Sequence, residues 1–398
     1  MIIPSLLEND FYKFTMQQAV LHNFPDVQVE MKFKCRQDKC LLHLKSRIEE
    51  EIEDLCFLMF DSDEIDYLKT IPFLKKDYID FLRIFQLDQD AVTVYDDNGQ
   101  LGITVRGSWL HVILFEVPIL AIVNELYFAD NIIRMKNNEV YTIEEDLLIQ
   151  GTENLYKKIN LVKNRDMAIP FRFADFGMRR RFSGKWHDRV VGILKEELPH
   201  NFIGTSNVYL AMKHDVGYIG TMAHEWLMVG QGLKNVRLAD SQKYMFEIWA
   251  KEYRGDLGIA LSDTLGFKAF LNDFDKYFCK LFDGCRHDSG DPIEWGEKLI
   301  EHYEKMGVDP KTKSAVFSDG LTFPLALQLA EYFNGWLKTS YGIGTNLTND
   351  VGFEPLQIVM KVVRVNGNPV AKLSDSSGKG MCEDAEFLQY LKKVFNIC

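Results

Sequence analysis

The sequence predicts an α/β protein, an irregular (β/α) barrel with a discontinuous α+β N-terminal domain. Three observations point there. From Ile169 onward short apolar segments recur roughly every 25 to 35 residues, the spacing of strand and helix units. Most of these segments end in a polar residue, and a barrel gathers its active site at the C-terminal ends of its strands. Before that region, and again near the C-terminus, alternating strands and tight-turn signals suggest a second layer of mixed α and β structure.

A chain of 398 residues can bury a large core and has room for a smaller domain beside it. Its longest apolar run, 109–122, is interrupted by His111, Glu116 and Pro118, so no membrane partner is expected. The start, MIIPSLLEND, meets Glu8 and Asp10 before any apolar leader could form, which predicts a cytoplasmic protein. Seven cysteines without a CxxC pair read as reduced thiols, with neither a disulfide framework nor a zinc site. A net charge of −12 would repel a nucleic-acid backbone. An anionic ligand must therefore be attracted by local groups.

Along the chain, Phe11, Phe14, Val20 and Leu21 recur at helical spacing, and VQVEMKFKC (27–35) alternates like a half-buried strand. The charged region 47–83 predicts two amphipathic helices. Asp96, Asp97, Asn98 and Gly99 separate two apolar runs as a hairpin turn would. A long helical pattern then runs, with interruptions, from Pro118 to about Asn160. The barrel segments are PFRFADFG (170–177), NFIGTS (201–206), VGYIGTMAHE (216–225), LGIALSD (257–263), LFDGCRHDSGD (281–291), AVFSDG (315–320) and LKTSYGIGTN (337–346). They predict a closed or nearly closed barrel, with a doubly wound open sheet as the alternative. Asp175, Ser206, His224, Asp263, Asp288 and Asp319 end six of them and point to a shared site. The tail 359–375 reads as another hairpin, turning at Asn366 and Gly367, that rejoins the N-terminal domain. The expected division is 1–165 completed by 347–398, with the barrel at 166–346.

The chemistry concentrates in five stretches. RHDSGDP (286–292) sets Asp288 and Asp291 around a tight turn beside Arg286. Carboxylates there suit Mg²⁺ or sugar hydroxyls, and Arg286 suits phosphate, while Asp291 with Pro292 also reads as a plain helix cap. The glycines of SDG (318–320) and GIGTN (342–346) can present backbone N–H groups to a phosphate, or simply make turns. FADFGMRRRFS (173–183) follows a strand with three arginines, which cannot all face one site. Phe176 and Arg179 would suit a flat anionic ligand. In GTMAHEW (220–226) a single histidine, His224, stands at the start of a helix. Met228 occupies the place of the second histidine of a zinc-protease motif, and Leu373 that of the first glycine of a nucleotide loop.

Together, ENDFYKFTM (8–16), FADFGMRRRFS, GTSNV (204–208), GTMAHEW, RHDSGDP, FSDG (317–320) and YGIGTNLTND (341–350) resemble, in that order, the motifs of the bacterial nicotinate phosphoribosyltransferase family. Ser377, in LSDSSGKG (373–380), departs from a proline expected there. The resemblance implies a type II phosphoribosyltransferase fold working as a homodimer with shared active sites. It implies an ATP-dependent ligase in which nicotinate and phosphoribosyl pyrophosphate (PRPP) give nicotinate mononucleotide and pyrophosphate for NAD biosynthesis. It further implies ATP as a co-substrate, Mg²⁺ as a cofactor and phosphorylation of His224. Asp288 and Arg286 are then expected to hold ribose and diphosphate, Asp263 to assist through Mg²⁺ or water, and Gly320, Gly342 and Gly344 to seat the 5′-phosphate. Phe176 and a partner subunit's Tyr12 are expected to sandwich the pyridine ring with Arg179 near its carboxylate. By the same resemblance Ser206 is expected to stand where the nicotinamide-specific relative has an acid, and so to favour the acid substrate. That relative, a non-catalytic nucleotide-binding protein of the same fold, and a metal hydrolase using His224, His287 and Asp288 are the alternatives.

Overall fold

A computed structural model describes residues 1–137 and 143–397. Among them the two ends of the chain build one antiparallel sheet. β1 (Gln28–Cys35), β2 (Val92–Asp97) and β3 (Gln100–Ser108) come from the first part. Two more, β11 (Ile358–Val365) and β12 (Asn368–Pro369), return from the last part. The order is β12-β11-β1-β3-β2, and β11 runs beside β1 from Val29↔Val365 to Cys35↔Ile358. Both hairpin turns take the form read from sequence. Asn98 and Gly99 have φ of 54° and 86°, and Asn366 and Gly367 have φ of 49° and 83°. Two successive left-handed residues match the twist of the paired strands, and Asn-Gly adopts them at least cost.

The second sheet is parallel. β4 (Phe173–Asp175), β5 (Phe202–Thr205), β7 (Ile259–Leu261), β8 (Gly284–His287), β9 (Ser314–Phe317) and β10 (Lys338–Ile343) form it in the order β5-β4-β10-β9-β8-β7. A short β6 (Arg254–Leu257) stands outside it. The expected seventh strand, in 216–225, is absent. Only Tyr218 bridges to Thr205, and Thr221 Oγ1 reaches the Ile259 carbonyl at 3.1 Å. The segment thus crosses the gap between β5 and β7 without becoming a ladder. Gly204 and Gly217 explain the contact, since a Cβ on Gly204 would sit 1.9 Å from the Gly217 carbonyl oxygen.

Two further expectations need correction. Region 47–83 holds three short helices, Lys45–Cys56, Ser62–Lys69 and Lys76–Leu82. Asp61 starts the second with a reciprocal cap to Glu64, and such a cap begins a separate helix, making three where two were expected. The apolar stretch from Trp109 to Ile132 is also continuously helical enough, at 24 residues, to match the length of a bilayer. It is a core helix in this fold, with 83% of its most apolar 18-residue window buried among the other elements. The interruption of the pattern after Asn137 lies outside the described residues.

A tryptophan cluster seats the histidine helix. Trp226 packs 5.6 Å from Trp109 and 5.3 Å from Trp249, ring centre to ring centre. Its indole N–H donates to the Met245 carbonyl at 2.9 Å. A buried ring with its one polar atom satisfied fixes the helix His224–Gly230 against the helix Ser241–Tyr253.

Candidate active site

A cavity of about 700 Å³ opens at the C-terminal ends of the parallel strands and runs to β11. Tyr12, Phe176, Arg179, Ser206, His224, Arg286, Asp288, Gly320 and Gly344 all line it. Asp263 and Gly342 stand behind its wall. Gly342 lies within β10, and a Cβ there would fall 2.2 Å from the Phe176 ring. Its missing side chain makes the seat for Phe176, so it is not a phosphate loop residue. Asp175 also turns away from the cavity. It is wholly buried and accepts from the Gly177 amide at 2.8 Å, Thr205 Oγ1 at 2.6 Å and His187 Nε2 at 2.5 Å.

His224 is the first residue of its helix and is nearly enclosed. Its Nε2 lies 2.7 Å from Asp263 Oδ1 and 3.5 Å from Asp288 Oδ2. The other Asp263 oxygen is held by Ser289 Oγ at 2.7 Å and Lys372 Nζ at 3.1 Å. Burial, followed by the Lys372 charge, pushes His224 down to about 4 despite the pull of Asp263. Burial would push Asp263 upward, but His224 and Lys372 hold it well below the usual carboxylate range. At neutral pH the arrangement is therefore a neutral imidazole donating from Nε2 to a carboxylate whose charge is met by Lys372.

Donor atoms of His224, Asp263 and Asp288 lie within 4.8 Å of one another, a set that can share a divalent cation. Lys372 and Ser289 already occupy one side of Asp263, whereas Asp288 is a quarter exposed and faces the cavity. Ser318 Oγ holds the other Asp288 oxygen at 2.8 Å. His287 does not join them. It is buried between Trp295 and Phe317, with Nε2 on the Gly290 carbonyl at 3.1 Å, which removes the hydrolase built on His224, His287 and Asp288.

The arginine run separates by role. Arg181 is wholly buried, donating to Glu8 at 3.1 Å and Glu125 at 2.6 Å, and it joins three parts of the fold. Arg179 faces the cavity, 3.6 Å from Glu116 and 3.9 Å from Asp10. Arg180 also lines the cavity; burial and the neighbouring Arg179 and Arg36 push it down to about 10. Tyr12 of this chain lines the cavity together with Phe176. The pairing of Asp10 with Asn207 and a 2.6 Å hydrogen bond from Ser206 Oγ to Asp10 fix it there. Asp10, Arg36, Glu116, Lys361, Lys372 and Lys379 complete the wall without having been singled out in the sequence.

This chemistry, an enclosed histidine on an acid with arginines, lysines and aromatics around one cavity, agrees with relationship. Residues 171–398 match the nicotinate phosphoribosyltransferase family, and 7–124 match its N-terminal domain. The chain belongs to the nicotinate phosphoribosyltransferase family. A relative of that name from Burkholderia cenocepacia is 52% identical over 401 residues, covering 100% of this chain and 98% of its own. One from Bordetella pertussis is 52% identical over 402 residues, covering 100% and 96%. The crystal structure of a nicotinate phosphoribosyltransferase from Vibrio cholerae superposes with a TM-score of 0.92 at 41% identity, covering 100% of this chain and 94% of that one. The structure from Porphyromonas gingivalis gives 0.87 at 36% identity, covering all of both chains. Family membership extends over both sheets that wall the cavity.

Proposed function

We propose that this cavity transfers the phosphoribosyl group of PRPP to nicotinate, giving nicotinate mononucleotide and pyrophosphate in NAD biosynthesis, and that ATP drives the reaction through phosphorylated His224. The observation that carries the reading is the His224–Asp263–Lys372 arrangement at the wall of the cavity. With Nε2–H held by Asp263, Nδ1 keeps the lone pair. It attacks the terminal phosphorus of ATP, the bond to the bridging oxygen breaks, and ADP leaves. Lys372 meets the charge that arrives.

In the transfer, the bond from C1 of the ribose to the diphosphate breaks as the pyridine nitrogen bonds to C1. Positive charge grows on the sugar, and the ionised Asp288 carboxylate faces it, while Arg286 and Arg180 meet the departing diphosphate. Mg²⁺, when bound by Asp288 with help from Asp263, would neutralise the diphosphate as it leaves. The loops at Gly320 and Gly344 offer backbone N–H groups to the 5′-phosphate. Phe176 and Tyr12 flank the pyridine ring, and Arg179 draws its carboxylate. Ser206 places no charge of its own against that carboxylate and caps one oxygen of the Asp10 behind it. A homodimer in the cytoplasm, classed as an ATP-dependent ligase, belongs to the same proposal.

The test measures nicotinate mononucleotide formed from nicotinate, PRPP and Mg²⁺, with and without ATP, beside transfer of label from γ-labelled ATP. His224→Ala is expected to lose the label and the stimulation by ATP while remaining folded. A variant labelled as strongly as wild type would refute the role of His224, and product made faster from nicotinamide would refute the choice of substrate.

A further inference from the structure

A line of buried charge links the neighbour of His224 to two cations of the cavity. Lys13, in the helix Phe11–Asn23, is wholly buried and stands behind the cavity wall. Its ammonium contacts two carboxylates from different elements. One is Glu116 Oε2 at 2.7 Å, the first residue of the helix Glu116–Asn137. The other is Glu225, which follows His224 directly and also accepts from the Trp109 indole N–H at 2.6 Å. The second Glu116 oxygen is buried and has no hydrogen bond among the described residues. It faces Arg179 at 3.6 Å and Lys361 at 3.7 Å, two cations of the cavity.

Burying charges is costly, and apolar side chains of similar size commonly pack such a place at least as stably. The geometry has a property that apolar packing lacks. One positive charge is divided between two carboxylates, so a stronger pull from one loosens its hold on the other. A phosphoryl group on His224 would add roughly −1.5 to −2 charge one residue from Glu225. That shifts the balance at Lys13, and with it the grip of Glu116 on Arg179 and Lys361.

We infer that Lys13 is a positioning residue that couples the phosphorylation of His224 to the binding of nicotinate. The inference rests on the phosphohistidine reading above. Lys13 touches both the histidine helix and the carboxylate that restrains the cavity cations, so each end senses the other through one ammonium group. The coupling is reciprocal: the factor by which phosphorylation changes nicotinate affinity is the factor by which nicotinate changes phosphorylation.

The test uses the full chain as wild type, Glu225→Gln and the double variant Lys13→Met with Glu225→Gln. Label from γ-labelled ATP and the nicotinate KM with and without ATP are measured for each. The double variant removes one charge of each sign, and Glu225→Gln alone keeps the Lys13–Glu116 pair in case the double variant does not fold. Wild type is expected to change its nicotinate KM at least about fivefold with ATP. Both variants are expected to take the label with that change reduced to about twofold or less. Labelled variants that keep the full wild-type change overturn the coupling. So do variants that lose the label, because the network would then act on phosphorylation itself. Wild type that takes no label overturns the phosphohistidine reading instead.

Discussion

Gly342→Ala tests whether the seat of Phe176 decides nicotinate binding. A Cβ at this position would lie 2.2 Å from Cδ2 and 2.3 Å from Cε2 of the ring. Carbon atoms rest at about 3.5 Å or more, so the ring must retreat by more than ~1 Å. The strand is poorly placed to yield, because β10 is paired with β4 on one side and β9 on the other. Overpacking of this kind costs about 1–3 kcal/mol. If that cost falls on the bound pyridine, the nicotinate KM rises about 5- to 150-fold. Steady-state kinetics with each substrate varied against saturating partners would show the rise for nicotinate and little change for PRPP. A nicotinate KM within twofold of wild type, in a variant whose melting temperature has dropped, would show that the seat serves stability alone.

Two other expectations follow from the buried charges. Arg181→Met leaves Glu8 and Glu125 without their shared cation and should cost about 3–5 kcal/mol in denaturant unfolding, with the nicotinate KM little moved; a loss below 1 kcal/mol would contradict the role given to Arg181. The pH dependence of stability should carry the mark of His224. Its folded value of about 4 lies below the ordinary 6.5, so the unfolded chain takes up a proton first as pH falls. The contribution is complete above about pH 6.5 and is lost towards pH 4, on the order of 3 kcal/mol in all. His224→Gln should flatten unfolding free energies measured between pH 7 and 4.5, and an unchanged slope would refute the neutral, enclosed imidazole.

Much of this architecture was legible because apolar strand segments and their polar ends recur in order, and because Asn-Gly turns have few alternatives. The segment around Tyr218 misled for a physical reason. Its composition suits a strand, but the closeness of Gly217 to Gly204 admits a single bridge in place of a ladder. Asp175 misled in another way, since the end of a strand does not determine which way a side chain turns, and this one faces His187. Glu116 read as an interruption in an apolar run, and Lys361 lay unremarked in a tail read as a hairpin. Neither pattern reveals a cavity formed by residues more than 200 positions apart, such as Tyr12 and His224. Which arginine of three turns inward depended likewise on Glu8 and Glu125, two partners in other elements.

The place of β11 between β1 and β12 also bears on how the protein is made. At about 5 to 20 residues per second, a ribosome needs tens of seconds to travel from β1 to its partner strand. Throughout that interval the β1 edge later covered by β11, with buried Val29, Met31 and Phe33 beside it, has no native neighbour. The same late segment brings Lys361 and Lys372 to the cavity. A nascent chain is therefore exposed to mispairing at its oldest sheet until nearly all of it has emerged, and it acquires a complete cavity only at the end of translation.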